Sequence, residues 1–366
     1  MNKIYRDNID TIKPYEPGKP IEEVQRELGL KKVIKLASNE NPLGTSKKVL
    51  AAITRAAKDA YLYPDGGTYR IKKNLSKFLG VKQTEIILGN GSNEIIEFLL
   101  RGFVLPGDHV VSSDMTFLVY PLATQVAGGK YIQTAIKNFR YDLTAMAKAV
   151  DKRTRLVFIA NPNNPTGSYV SESEVDQFIA SVPKDVIICL DEAYADFVEA
   201  KDYPNSLKYL KKENIIVLRT FSKSYGLAGL RLGYGLANER LIGYLHKIRQ
   251  PFNVNSLAQA AGEAALEDQA YLKQTQRVVF QGRKFLQDQF KAMGLYFIPS
   301  QANFVLVCVK QNSRELFQAL LRRGIIIRDM TAYGLNEWIR VTVGTMPENQ
   351  LFIRELKKLL SVKEKR

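Results

Sequence analysis

Cysteine and histidine are scarce in this 366-residue chain, which has two of each: Cys189 and Cys308, His109 and His246. Each cysteine lies inside an apolar run (Val186-Ile187-Ile188-Cys189-Leu190 and Phe304-Val305-Leu306-Val307-Cys308-Val309). A free thiol behaves as a small hydrophobe, so both read as buried and reduced, not as a disulfide or redox pair. No Cys-x-x-Cys or His-Glu-x-x-His spacing occurs, which leaves no basis for a multi-histidine metal site. A Ser-His-Asp triad would need one of the two histidines, and neither lies near a Gly-x-Ser-x-Gly turn. His109 follows Pro106-Gly107-Asp108 at an expected strand start, and His246 stands among Lys247 and Arg249 on an expected helix. Both read as structural. Long apolar runs are lacking too, and none approaches the ~18 residues of a membrane span. Residues 1–7 mix both charge signs without an apolar segment, so no secretory signal and a cytoplasmic address are expected.

Hydrophobic residues make up 45% of the chain and charged residues 25%, the balance of a soluble globular protein. The length suggests two domains, or one large domain with an appendage. Lys and Arg number 53 against 37 Asp and Glu, a formal charge of +16. The cations are scattered with acids between them, as in Lys211-Lys212-Glu213 and Asp151-Lys152-Arg153. Only the C-terminal tail forms a basic run, and no aromatic residues interleave it, so nucleic-acid binding is not expected.

Residues 1–40 read as an arm that is part of a small domain, broken by Pro14, Pro17, Gly18 and Pro20 and holding one short amphipathic turn over residues 21–28. Helical patterns over residues 46–60 and 69–79 flank the breaker cluster Tyr61-Leu62-Tyr63-Pro64-Asp65-Gly66-Gly67. Then come short continuous apolar runs at residues 85–88, 155–160, 186–190 and 215–218. Runs of this kind, without alternation, look like buried parallel strands. The fold class is therefore α/β, with a large domain over residues 41–254 built on a mostly parallel central sheet. Residues 255–366 read as a smaller α+β domain, with strands at 303–309, 325–328 and 338–343 and helices at 258–266, on to about 293, at 314–323 and at 348–360.

In open α/β sheets ligands bind beyond the carboxyl ends of the strands. Three strand ends are unusual here: Asn161-Pro162-Asn163-Asn164-Pro165-Thr166-Gly167, then Asp191-Glu192-Ala193-Tyr194, then Ser222-Lys223 through Arg231. Singly, these read as a turn, a helix cap and a Ser/Lys-rich loop. In this order and spacing they resemble the fold-type I pyridoxal-phosphate aminotransferases, and more narrowly the histidinol-phosphate aminotransferase family. Further matching segments are Leu36-Ala37-Ser38-Asn39-Glu40-Asn41-Pro42, Tyr63-Pro64-Asp65-Gly66 and Gly89-Asn90-Gly91-Ser92, so the resemblance covers essentially the whole chain.

The resemblance implies a role for each residue. A pyridoxal aldehyde needs one amine to hold it and later to act as a base, and Lys223 matches that position. A protonated pyridine nitrogen needs a carboxylate partner, matched by Asp191; a strand's alternation aims the neighbouring Glu192 elsewhere. Asn164 and Tyr194 match the donors to the cofactor's 3′-oxygen, and Phe117 matches the aromatic stacked on the ring. Met115 stands where a proline usually precedes Thr-Phe, a departure that bears on this loop's geometry. For the phosphate, Gly91, Ser92 and Asn93 open a helix with unsatisfied amides, and Ser222 and Arg231 supply a hydroxyl and a cation. Tyr63 matches a residue that reaches the neighbouring subunit's cofactor phosphate, which implies a homodimer. Arg340, with Arg328 nearby, matches the family's anion-binding arginine, a guanidinium suited to carboxylate or phosphate. Tyr15 and Asn39 are further substrate-side positions.

The activity so implied is transfer of an amino group from glutamate to 3-(imidazol-4-yl)-2-oxopropyl phosphate, giving histidinol phosphate and 2-oxoglutarate in histidine biosynthesis. Alternatives on the same fold are an aromatic-amino-acid aminotransferase and a threonine-phosphate decarboxylase. A DNA-binding regulator with an aminotransferase-like domain would need a winged-helix segment, for which the Pro-rich arm is too short.

Overall fold

The apolar runs become strands. A computed structural model of the chain describes residues 4, 7–14 and 18–361. A two-residue strand, β1 (Ile34–Lys35), precedes seven that form the main sheet. These are β2 (Ile86–Asn90), β3 (His109–Ser113), β4 (Lys130–Thr134), β5 (Thr154–Ala160), β6 (Ile187–Asp191), β7 (Ile215–Thr220) and β8 (Leu232–Ala237). Their order in space is β2-β8-β7-β6-β5-β3-β4. The five from β7 to β4 run parallel, so the sheet is mostly parallel, as expected. β6 is buried along its whole length and β5 and β7 nearly so, which is why their sequences show no alternation. Run 85–88 departs from the parallel reading: it becomes β2 at the sheet edge, antiparallel to β8.

β8 carries no apolar run because Gly233 and Gly235 interrupt it. Gly233 lies so close to the 91–92 turn that a Cβ there would come within 2.6 Å of the carbonyl carbon of Gly91. The strand gives up a side chain so that this turn can lie on the sheet. β4, at the opposite edge, is only partly buried.

The C-terminal strands are β9 (Phe297–Ile298), β10 (Phe304–Cys308), β11 (Ile325–Ile326), β12 (Arg328–Met330) and β13 (Leu335–Thr342). Four form an antiparallel sheet in the order β12-β13-β10-β9. The single strand expected at 325–328 is divided, because β11 pairs in parallel with β1 instead. The arm is thereby stitched to the C-terminal sheet: Leu36 N–H donates to the Ile326 carbonyl at 2.7 Å, and Thr342 N–H to the Leu36 carbonyl at 2.9 Å. The short turn expected at 21–28 is a helix, Ile21–Leu28.

Two main cores result. The larger surrounds the seven-stranded sheet; the smaller gathers Leu36, Leu286, Phe290, Val305, Ile339 and Phe352, among others. Residues just beyond the expected 254/255 boundary still pack in the larger core. Ala258, Ala261, Ala265 and Leu266 of helix Ser256–Glu267, and Leu272 beyond it, belong to the larger core. The small alanine side chains let that helix lie against helix Lys47–Ala56. Helix Gln269–Ala292 then runs from one core to the other, with Leu286 and Phe290 in the smaller. Both cysteines are free; Cys189 is buried, while Cys308 at the end of β10 is half-buried. Among the described residues no helix is long and apolar enough to cross a membrane.

Gly233→Ala is expected to cost about 1–3 kcal/mol, since a backbone turn must move to admit the methyl group. A drop of several degrees in Tm checks this, and an unchanged Tm refutes it.

Candidate active site

The parallel strands end at one cavity of about 570 Å³. It lies between the carboxyl ends of β5, β6 and β7, the start of helix Ser92–Phe103, the arm at residues 37–40, and β12 and β13. Of the residues singled out from sequence, Asn39, Gly91, Ser92, Asn93, Phe117, Asn164, Asp191, Tyr194, Ser222, Lys223, Arg231, Arg328 and Arg340 line it. Tyr63 does not: it is 84% exposed and stacks on Phe252 at 4.9 Å. Tyr15 lies outside the described residues.

Lys223 leaves the end of β7 in a loop pinned by buried Phe221, whose ring packs on Tyr225 and Tyr234 at 5.0 and 5.6 Å. Its Nζ donates to the Ser38 carbonyl at 3.2 Å. Burial lowers its pKa to about 8, helped by the cations Arg340 and Arg231, while Glu40 and Asp191 pull the other way. The amine is therefore readily available in neutral form.

Asp191, the last residue of β6, is held at both oxygens: Tyr120 Oη donates to Oδ2 at 2.8 Å and Ala193 N–H to Oδ1 at 3.2 Å. Burial raises its pKa above the ordinary carboxylate value, and the Tyr120 and Ala193 hydrogen bonds only partly offset this. A carboxylate so placed favours a cationic partner in the cavity. Glu192 points away, paired with Arg219 at 2.8 Å and accepting from Ser206. Tyr120 itself escaped sequence reading. It lies one turn beyond Phe117, whose ring it meets edge-on at 5.6 Å, and it stacks on Phe158 at 4.4 Å. Position i+3 from a candidate stacking residue was the available signal.

The wall at the start of helix Ser92–Phe103 is built from backbone. Gly91, at φ 77°, caps helix Ser92–Phe103 with no side chain bonded to the first amides. Those N–H groups and the helix dipole favour an anion. A Cβ at Gly91 would sit 2.5 Å from the Arg231 guanidinium, so a side chain there would fill the cradle. Arg231, itself at φ 58°, accepts the Gly91 N–H on its carbonyl at 3.0 Å. The Met115 loop is held without a proline, since the Met115 carbonyl accepts from Asn163 Nδ2 at 2.9 Å and Thr116 bonds Tyr141.

At the opposite wall, Arg328 and Arg340 stand directly across β12 and β13. Like charges facing each other across a ladder are costly, which an arriving anion would relieve. Arg340 donates to the Asn164 side-chain oxygen and, at 2.7 Å, to the Ala37 carbonyl. With Asn164 Oδ1 thus occupied, its Nδ2 is left to donate into the cavity.

Comparison with known proteins places the chain in a family. The family "Aminotransferase class I and II" matches residues 31–356. The chain is 50% identical to histidinol-phosphate aminotransferase of Moorella thermoacetica over 97% of this chain and 93% of that one. It is 46% identical to histidinol-phosphate aminotransferase 2 of Carboxydothermus hydrogenoformans, over 98% and 99%. The chain belongs to the histidinol-phosphate aminotransferase family. Among solved structures it resembles the histidinol-phosphate aminotransferase of Sinorhizobium meliloti in complex with pyridoxal-5′-phosphate, with a TM-score of 0.90, 30% identity and 99% coverage of both chains. An aspartate aminotransferase of Thermus thermophilus, 20% identical with a TM-score of 0.82 over 98% and 100%, shares the fold-type I architecture.

In cofactor-free protein, modification of Lys223 by trinitrobenzenesulfonate should follow a midpoint near pH 8, because the neutral amine attacks and its fraction grows as pH rises through that value. Mass-spectrometric mapping across pH reads it. A midpoint at the ordinary lysine value of ~10.4 would contradict the burial argument.

Proposed function

We propose that this chain is a pyridoxal-phosphate-dependent histidinol-phosphate aminotransferase, acting with glutamate and 2-oxoglutarate as a cytoplasmic homodimer. The observation that carries the reading is the meeting, in one cavity, of a buried amine of lowered pKa, a buried carboxylate at a strand end, an open helix N-terminus and two facing arginines. Bound there, the cofactor supplies an aldehyde carbon that accepts an amino group and a ring that stabilises negative charge on the neighbouring carbon.

The chain's own residues divide the work. Lys223 would carry the cofactor and, when its amine is free, move a proton as general base and then acid; its pKa near 8 suits both directions at neutral pH. Asp191 would pair with the ring nitrogen, with Tyr120 keeping its carboxylate aimed. Asn164 and Tyr194 would donate to the 3′-oxygen, and Phe117 would cover the ring. The amides at Gly91, Ser92 and Asn93, with Ser222 and Arg231, would hold the phosphate. Arg340 and Arg328 receive the distal anion of either substrate, a carboxylate of glutamate or the phosphate of histidinol phosphate, so one site serves both half-reactions.

The dimer reading rests on the surface around Tyr63. Tyr61, Leu62, Tyr63, Tyr69 and Phe252 are all exposed. A cluster of large apolar side chains of this kind marks an interaction site. Tyr63 stands on this face and not in its own cavity, as a residue serving the partner's site must.

The decisive assay compares turnover of histidinol phosphate, phenylalanine and threonine phosphate by the pyridoxal-phosphate-loaded enzyme with 2-oxoglutarate. Histidinol phosphate should be preferred, and no reaction with it overturns the substrate assignment. Mixing two inactive variants, Lys223→Ala and Tyr63→Ala, should restore activity through hybrid dimers, each with one intact composite site; no recovery after subunit exchange refutes the shared-site arrangement. Tyr120→Phe should weaken cofactor binding about tenfold, the worth of one hydrogen bond to a charged group. Titration of the cofactor-free protein measures that loss.

A further inference from the structure

Asn39 has other work than contact with substrate. It is 1% exposed, sits at φ 56°, and has both ends of its side-chain amide engaged. Its Nδ2 donates to the Tyr194 hydroxyl at 2.9 Å. Its main-chain N–H donates to Thr342 Oγ1 at 2.9 Å, and Thr342 Oγ1 donates back to Asn39 Oδ1 at 3.0 Å. Asn303 Nδ2 donates to the Asn39 carbonyl at 3.0 Å. In the structure the Thr342 hydroxyl proton goes to Oδ1 and Nδ2 faces Tyr194, so the tyrosine oxygen is the acceptor in that bond.

We infer that Asn39 is a positioning residue acting through Tyr194: by donating to the tyrosine oxygen it orients the hydroxyl and strengthens it as a donor. A hydroxyl that accepts one hydrogen bond is a better donor in the next. This rests on reading the cavity as a pyridoxal phosphate site with Tyr194 facing the 3′-oxygen. The left-handed backbone explains the residue type, because asparagine is among the few side chains that tolerate it and can donate locally. Thr342 lies two residues beyond Arg340 on β13, on the same face of the strand, so the strand that receives the substrate's anion also orients Asn39.

The test uses the pyridoxal-phosphate-loaded enzyme and the pH midpoint of its visible absorbance band. Asn39→Gly preserves the backbone conformation and removes the amide. The midpoint should rise by about one unit, because a weaker donor at the 3′-oxygen makes the link to Lys223 more basic. In a Tyr194→Phe background, Asn39→Gly should shift it no further. Thr342→Val, which removes both hydrogen bonds that hold Asn39 while keeping its side chain, should move the midpoint the same way and covers the case in which the glycine variant does not fold. An unchanged midpoint in these variants, or an equal shift with and without the Tyr194 hydroxyl, overturns the inference alone. Absence of any visible band in the unsubstituted protein overturns the cofactor reading and this inference together.

Discussion

The site depends on desolvation. Lys223 and Asp191 are both removed from water, and in both burial is the largest influence, lowering the amine's pKa and raising the carboxyl's. Each is pushed toward its neutral form, the direction a low-dielectric surrounding always imposes on an ionisable group. A ligand that brings a cation to Asp191 and an aldehyde to Lys223 offsets both costs at once. The sheet exists to keep the two groups dry: β5, β6 and β7 are walls of branched apolar side chains, and the polar residues begin only where the strands stop.

Around that pair, the supporting contacts come from far along the chain. Arg340 on β13 steadies Asn164, Asn39 from the arm reaches Tyr194, and Ser38 accepts from Lys223. The main sheet alone makes an open shelf, and the arm with the C-terminal sheet supplies its opposite wall. Helix Gln269–Ala292 links the two, with its residues divided between both cores.

How far this was legible in sequence follows from how local each signal is. β5, β6 and β7 were readable because a strand buried on both faces needs no partner to declare itself. The cavity's main residues stood out because each sits in a contiguous motif at a strand end. β8 was hidden by glycines required by the backbone of another segment, the 91–92 turn. The split between β11 and β12 depends on pairing with Ile34 and Lys35, almost three hundred residues away, and no local pattern encodes that. Tyr120 was missed for a similar reason: a tyrosine on an amphipathic helix looks like any packing residue until Asp191 is placed beside it. The Ala-rich helix beyond residue 254 reads as a new beginning, whereas its small side chains suit close packing on helix Lys47–Ala56 of the larger core.

The stitching of the arm also sets an order of events during synthesis. Asn39 and Thr342, which bond to each other, are 303 positions apart. On the ribosome, the lysine loop and its sheet can fold while the strand that completes the wall is still untranslated, since chains fold progressively from the amino end. The nascent protein thus passes through an interval in which its reactive amine is uncovered and its vitamin-binding chamber lacks one side. Contacts of such sequence separation are the slow ones to form.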